Sequence, residues 1–238
     1  MKFTSLTALA VMGALCFPLA ASANLLDDGG FDLATSGSQT SGSDWALTVN
    51  MPDGTNSAAQ FQTGFANANN TGVGGTQAPG TGAGIWFRSF EGNQGGSGEP
   101  AANADLTQSV AAPFSGDYNL SFAAGREVNF TADEFFVSLS SSGTGGSASI
   151  DLLTAVIPDG NIGGGASPNP GGTPFTLSLT GVTAGDILTV NAAMVGGVDS
   201  QIPGGQSAFL DGFSLVPEPT SALLGLMGFA GLAARRRS

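Results

Sequence analysis

The chain has 238 residues, no histidine, one cysteine and 38 glycines, and carries a formal charge of −12. Those counts exclude histidine-based catalytic triads, zinc sites built on histidine or paired cysteines, and a disulfide framework. Only 10% of residues are charged, and the abundance of Gly, Ser, Thr and Ala disfavours a helical bundle, which needs strong helix formers.

The N-terminus reads Met1-Lys2-Phe3, then an apolar run from about Leu6 to Leu19, then Ala21-Ser22-Ala23. A charged start, an apolar stretch and a small-x-small close make a secretory signal peptide; Ala21 and Ala23 are the small residues, and cleavage is expected after Ala23. The run of ~14 residues is short for a membrane span, which takes ~20, and Pro18 interrupts it. Cys16 lies inside the run behind the bulky Leu15, where a lipoprotein signal needs a small residue. The mature chain therefore has no cysteine, and a hydrophobic core must supply its stability.

Beyond the leader, short apolar segments recur at 45–49, 85–90, 118–122, 135–139, 175–179, 187–191 and 209–215. Period-two patterning with β-branched and aromatic residues marks them as half-buried strands. Tyr118, Leu120 and Phe122 fall on one face, as do Phe175, Leu177 and Leu179. Leu188 and Val190 point inward, and Phe209, Phe213 and Leu215 are expected in register. About eight to ten such strands with Gly-rich turns make an all-β, antiparallel β-sandwich. Gly-rich stretches at 64–84, 91–98, 140–149 and 158–174 are expected as flexible coil, with binding loops at one end of the sandwich as the alternative. No lysine follows any of these glycines, so none is a phosphate-binding loop.

The C-terminus reads Val216-Pro217-Glu218-Pro219, Thr220-Ser221, an apolar stretch 222–234, and Arg235-Arg236-Arg237. The two prolines stop a preceding strand and permit a helix to begin, which Thr220 or Ser221 can cap. A helix over the apolar stretch rises ~20 Å, thin for a ~30 Å hydrocarbon core, and the arginines stay cytoplasmic. Such a short transmembrane helix with an arginine block holds a tail while something cuts nearby. The motif, helix and arginine run together resemble the PEP-CTERM sorting signal. The resemblance implies export through the Sec translocon and handling by an exosortase, a membrane transpeptidase that cuts near the motif. It also implies a bacterium that makes exopolysaccharide, and a product linked to the cell surface or released into the extracellular matrix.

Three regions result: a signal peptide at 1–23, a β-sandwich domain at 24–215, and the sorting signal at 216–238. In the middle region Arg88 and Arg126 stand against seventeen acids, a formal charge of −15. Such a surface repels phosphate backbones, which excludes a nucleic-acid partner, and attracts Ca²⁺ or cationic groups. The region opens Asn24-Leu25-Leu26-Asp27-Asp28-Gly29-Gly30-Phe31-Asp32, carries Leu106-Thr107-Gln108-Ser109-Val110 and Ser115-Gly116-Asp117-Tyr118 midway, and closes Ala208-Phe209-Leu210-Asp211-Gly212-Phe213-Ser214-Leu215. It resembles the galactose-binding-like jelly rolls common in carbohydrate-binding modules, with Asp28 and Asp32 where that family's opening phrase has Asn and Glu.

The jelly-roll resemblance implies that the first and last strands lie together with a structural Ca²⁺ between them. Asp32 and Asp211 are then the candidate ligands, helped by Asp27, Asp28 and backbone carbonyls, since hard oxygen donors suit Ca²⁺. The alternative is that these acids cap turns and face water. Trp45, Trp86 and Tyr118 are the only Trp and Tyr residues. Tyr118 and Trp86 read as core, and Trp45, after a polar stretch, is the candidate ligand-binding aromatic. Arg88 and Arg126 are expected to pair with Glu91, Glu127 or Glu134. No carboxylate spacing singles out a glycosidase pair, and no histidine base, mature cysteine or Gly-x-Ser-x-Gly elbow exists, so the protein is expected not to be an enzyme. The expectation is an exported structural or adhesive protein in an exopolysaccharide or biofilm setting, attached to membrane only through its transient C-terminal helix. A carbohydrate-binding module and a secreted glycoside hydrolase are the alternatives.

Overall fold

A computed structural model describes residues 23–50, 57–63, 83–92, 100–156, 173–202 and 206–218. The signal peptide up to Ser22, including Ala21, lies outside them, as do Pro219, the apolar C-terminal segment and Arg235, Arg236 and Arg237. Among the described residues no helix is long and apolar enough to cross a membrane.

The described chain is all-β. Its strands are β1 (Ala46–Val49), β2 (Ala59–Thr63), β3 (Ala83–Arg88), β4 (Ala102–Ala111), β5 (Gly116–Arg126), β6 (Glu134–Ser141), β7 (Ser147–Asp151), β8 (Thr173–Val182), β9 (Ile187–Gly197) and β10 (Ser207–Pro217). They form two five-stranded sheets, ordered β1-β4-β9-β6-β7 and β2-β3-β10-β5-β8, and every pairing is antiparallel. From β3 onward consecutive strands alternate between the sheets, except at the β6–β7 hairpin. One short helix, α1 (Leu152–Ala155), follows β7, with the Asp151 side chain accepting from the Leu153 amide at its start.

The alternation of large apolar residues builds the core as the strand period requires. Tyr118, Leu120 and Phe122 on β5 are buried, and so are Leu177 and Leu179 on β8 and Leu188 and Val190 on β9. Across the sandwich Phe87 of β3 meets Phe135 of β6 edge to face, with centroids 5.2 Å apart, a favoured aromatic arrangement. The buried Tyr118 hydroxyl donates to the Phe114 carbonyl at 2.6 Å, which removes the penalty of an unsatisfied polar group.

Two expectations are corrected here. Residues 140–149 are not a coil: they contain the end of β6, a tight turn and the start of β7, paired from Phe136↔Asp151 to Ser140↔Ser147. Nor does Phe209 share a face with Phe213 and Leu215. The β10–β5 register slips between Asp211 and Ser214, where Gly212 takes a φ of 65°. One inserted residue reverses the parity of everything after it. Ala208, Leu210, Phe213 and Leu215 therefore join the main core, while Phe209 packs with Trp86 and Ala123 on the outward side of the sheet. Of the other Gly-rich stretches, 64–82, 93–98 and 158–172 lie outside the described residues; Ala83 and Gly84 belong to β3, and Thr173 and Pro174 to β8.

Candidate functional site

The N-terminal segment is clasped onto the second half of β10. The β3 partner of β10 covers only Ser207–Leu210, which leaves the later amides and carbonyls on that side open. Residues 24–29 fill the gap. The Leu25 amide donates to the Leu215 carbonyl at 2.9 Å and the Phe213 amide to the Gly29 carbonyl at 2.8 Å. The Asn24 side chain closes the contact, donating to the Phe213 carbonyl at 2.9 Å and accepting from the Leu215 amide at 2.8 Å. A Cβ on Gly29 would lie 1.9 Å from the Phe213 carbonyl oxygen, so this approach requires glycine. The segment then turns through Asp28 and Phe31, both at positive φ. The Asp28 carboxylate accepts from the Asp32 amide at 2.7 Å and the Leu33 amide at 3.0 Å. Phe31 drops into the core between Trp45, Phe61 and Phe213.

This clasp brings the expected acids into one neighbourhood. Asp211 is 1% exposed and accepts from the Gly212 amide. Burial, together with the negative charges of Asp32 and Asp28, pushes its carboxyl up to about 8. Asp28 is raised as well, chiefly by burial and against the two amides it accepts. Asp32 is exposed. Asp27 turns aside, its amide donating to Gln108 Oε1 at 2.8 Å and its carboxylate accepting weakly from the Asp44 amide. Among the described residues no group of three or more acids is arranged to hold a metal ion. Carboxylate oxygens are the donors Ca²⁺ prefers, and Asp32 and Asp28 lie within electrostatic reach of Asp211.

Trp45 does not offer a ring to a ligand. It is 4% exposed, tilted against Phe31 and Phe213 at 5.3 and 5.2 Å, and its indole N–H donates to the Asp28 carbonyl at 3.2 Å. On the outward side of the second sheet lies Trp86, with Phe209. Its neighbours Ile85 and Phe87 are buried in the core, so strand alternation turns Trp86 and Arg88 away from it. Trp86 stacks on Phe209 with centroids 6.2 Å apart and planes 11° from parallel, and also meets Phe90 at 6.1 Å. The Arg88 guanidinium lies 4.7 Å from the Trp86 ring centroid and 4.9 Å from that of Phe90, and it pairs with Glu91. Gln60 sits opposite Trp86 on β2. The result is a compact outward cluster in which Phe209, Gln60 and Arg88 are buried and Trp86 and Phe90 half-buried; Trp86, expected in the core, is set outward by its alternation with Ile85 and Phe87.

The expected pairing of Arg88 with Glu91 is present. Arg126 pairs with neither Glu127 nor Glu134 among the interactions of the described residues. It donates to the Leu153 carbonyl at 2.7 Å near Asp151, whose charge opposes the effect of burial on the guanidinium. Glu127 instead accepts from the Ser207 amide at 2.7 Å.

No protein-family model and no curated protein sequence matches the chain. Among solved structures, one of TmCBM61 in complex with β-1,4-galactotriose is similar at a TM-score of 0.49 and 16% identity, over 83% of this chain and 100% of that one. An arabinose-bound α-L-arabinofuranosidase gives 0.45 and 13%, over 84% of this chain and 27% of that one. The K1 cleaved adhesin domain of Lys-gingipain from Porphyromonas gingivalis gives 0.40 and 12%, over 79% and 96%. All three lie below a TM-score of 0.5, and no ligand or activity follows from them.

Proposed function

We propose that this is an exported, non-enzymatic β-sandwich, sorted by an exosortase and working as a structural or adhesive protein at the cell surface or in an exopolysaccharide matrix. The observation that carries it is the coincidence of Val216-Pro217-Glu218-Pro219, a short apolar stretch and Arg235–Arg237 in that order. The geometry of the domain bears on it: Asn24, the first residue after the signal peptide, and Glu218, within the sorting motif, both hold hydrogen bonds to the sandwich. The strand order, alternating between sheets from β3 to β10 except at the β6–β7 hairpin, supports a jelly-roll arrangement. Expression of the full chain in an exosortase-bearing host and in an exosortase deletant tests the sorting. Surface or matrix material only in the first supports the assignment, and equal distribution in both overturns it. A glycosidase activity lost on changing one carboxylate would overturn the non-enzymatic role.

A second reading, carbohydrate binding, is favoured by the half-buried Trp86 and Phe90 on the outward side of the sheet, with the buried Phe209 and Arg88 packed against them. Flat apolar ring faces beside fixed polar groups are what a pyranose stacks on and bonds to. A glycan array with neutral and acidic polysaccharides, run with wild type and Trp86→Ala, decides it. Binding lost in the variant supports the reading, and silence of the wild type removes it.

Calcium is the proposed structural ion. Asp32 and Asp211, with backbone carbonyls, would hold it, Asp211 giving up its proton on binding. Millimolar Ca²⁺ should raise Tm, since extracellular modules bind at ~10⁻⁴–10⁻³ M, and Asp32→Ala or Asp211→Ala should abolish the rise. No response in the wild type overturns the site.

A further inference from the structure

The first residues of the sorting motif are strand rather than tail. Val216 and Pro217 lie opposite Asn119 and Tyr118 in the β10–β5 ladder, and the Glu218 amide donates to the Asp117 carbonyl at 2.8 Å. The side chain of Glu218 is held too. Asn119 Nδ2 donates to Glu218 Oε1, while Asn119 Oδ1 accepts from the Ser178 hydroxyl on β8. Asn119 and Ser178 are direct ladder partners, so both ends of the Asn119 amide are committed and its orientation is set. Asp117 is fixed in turn, its Oδ1 accepting from the Gly181 amide at 2.9 Å. A row of polar groups thus crosses β8, β5 and the exit of β10, and it ends on the motif's carboxylate. On the other side of β10, Asn24 and Leu25 bond to Phe213 and Leu215. The stretch leading into the motif is therefore paired on both sides.

A transpeptidase needs its target backbone free and extended, because its own groups must take the place of any existing partners. Backbone already committed to a sheet offers none. The apolar stretch starts at Ala222, four residues past Glu218, and a fully extended chain covers at most ~3.6 Å per residue. A membrane-embedded enzyme consequently meets this motif flush against the folded domain, with little slack to pull it clear.

We propose that Asn119 is the latch of the sorting motif: it keeps Glu218 in the sheet, and the exosortase acts on the form in which the exit of β10 has opened. This rests on the sorting assignment above. Asn119 is a positioning residue and takes no part in bond cleavage.

The test is pulse–chase of the full-length chain in an exosortase-bearing host and its deletant, with hydrogen exchange at the Glu218 amide as a second readout. Asn119→Asp replaces the donor with a like charge facing Glu218. Loss of one such hydrogen bond corresponds to about five-fold easier opening, so precursor conversion and Glu218 exchange should both quicken by about that factor at unchanged Tm. Ser178→Ala, which frees the amide without adding charge, should act in the same direction and less. Conversion of Asn119→Asp at the wild-type rate, with exchange quickened, overturns the latch and leaves the sorting assignment standing. Unaltered exchange in both variants overturns the contact itself. A wild type that is converted in neither host overturns the sorting assignment, and the latch with it.

Discussion

Before Gly212, β10 is an interior strand between β3 and β5; after it, β3 has ended and the N-terminal segment takes its place. In the first half Ala208 and Leu210 face the core, and Phe209 faces outward to Trp86. In the second half Phe213 and Leu215 face the core and the strand runs into Glu218. The single residue inserted at the bulge reverses the faces, and the boundary also separates two environments: the Phe209–Trp86–Ala123 cluster upstream and, downstream, a stretch held by the N-terminal segment and ending at Glu218. A strand can thus present its large residues to opposite sides of the sheet in its two halves, provided a glycine lets it change parity between them.

The largest effect should come from the residues on either side of that bulge. Phe213→Ala, which strips the ring between Phe31, Trp45 and Phe122, should cost about 3–5 kcal/mol in urea unfolding. Phe209→Ala, outside the main core, should cost clearly less. Equal losses would contradict the parity reversal.

At the bulge itself, Asp211 makes stability pH-dependent. Its folded pKa of about 8 lies above the unfolded value of ~3.9, so the proton is held more tightly in the folded state. The stability is complete below pH ~4 and is lost as pH rises toward about 8, on the order of a few kcal/mol in chelator. Asp211→Asn should flatten that limb in a pH series of denaturation midpoints; an unchanged slope would remove the buried carboxyl as its source.

The clasp on the second half is sharpened by two smaller changes. Gly29→Ala forces a Cβ into the Phe213 carbonyl and should cost about 1–3 kcal/mol, with faster hydrogen exchange at Phe213 and Leu215 and no change at Leu210. Asn24→Ala removes bonds to Phe213, Leu215 and Leu26 and should cost about 1–2 kcal/mol. A uniform change along β10 in either variant would show that the two halves open together.

The strands with large residues at every second position were legible, as at Tyr118–Leu120–Phe122 and Leu188–Val190. β2, β4 and β7 were not among the expected strands. β2 has a single large apolar residue, Phe61; β7 (Ser147–Asp151) is mostly small; and β4 opens with Ala102, Asn103 and Ala104. Their burial comes from neighbouring strands, which local patterning does not register. The jelly-roll resemblance implied that the first and last strands lie together, but β1 and β10 lie in different sheets; it is the segment before β1 that brings Asp32 within electrostatic reach of Asp211. The bulge was not, because Phe209, Phe213 and Leu215 keep their odd numbering straight through it. Trp45 was misplaced for a related reason: its polar neighbours suggested the surface, while Phe31 and Phe213, distant in sequence, enclose it.

The measurement closest to the central claim is the intact mass of the protein expressed in an exosortase-bearing host, recovered from each of its fractions. A mature species beginning at Asn24 and ending near the Pro217–Pro219 motif is what removal of both transport signals predicts. A full-length chain from Met1 to Ser238, retained in the cytosol, would contradict it.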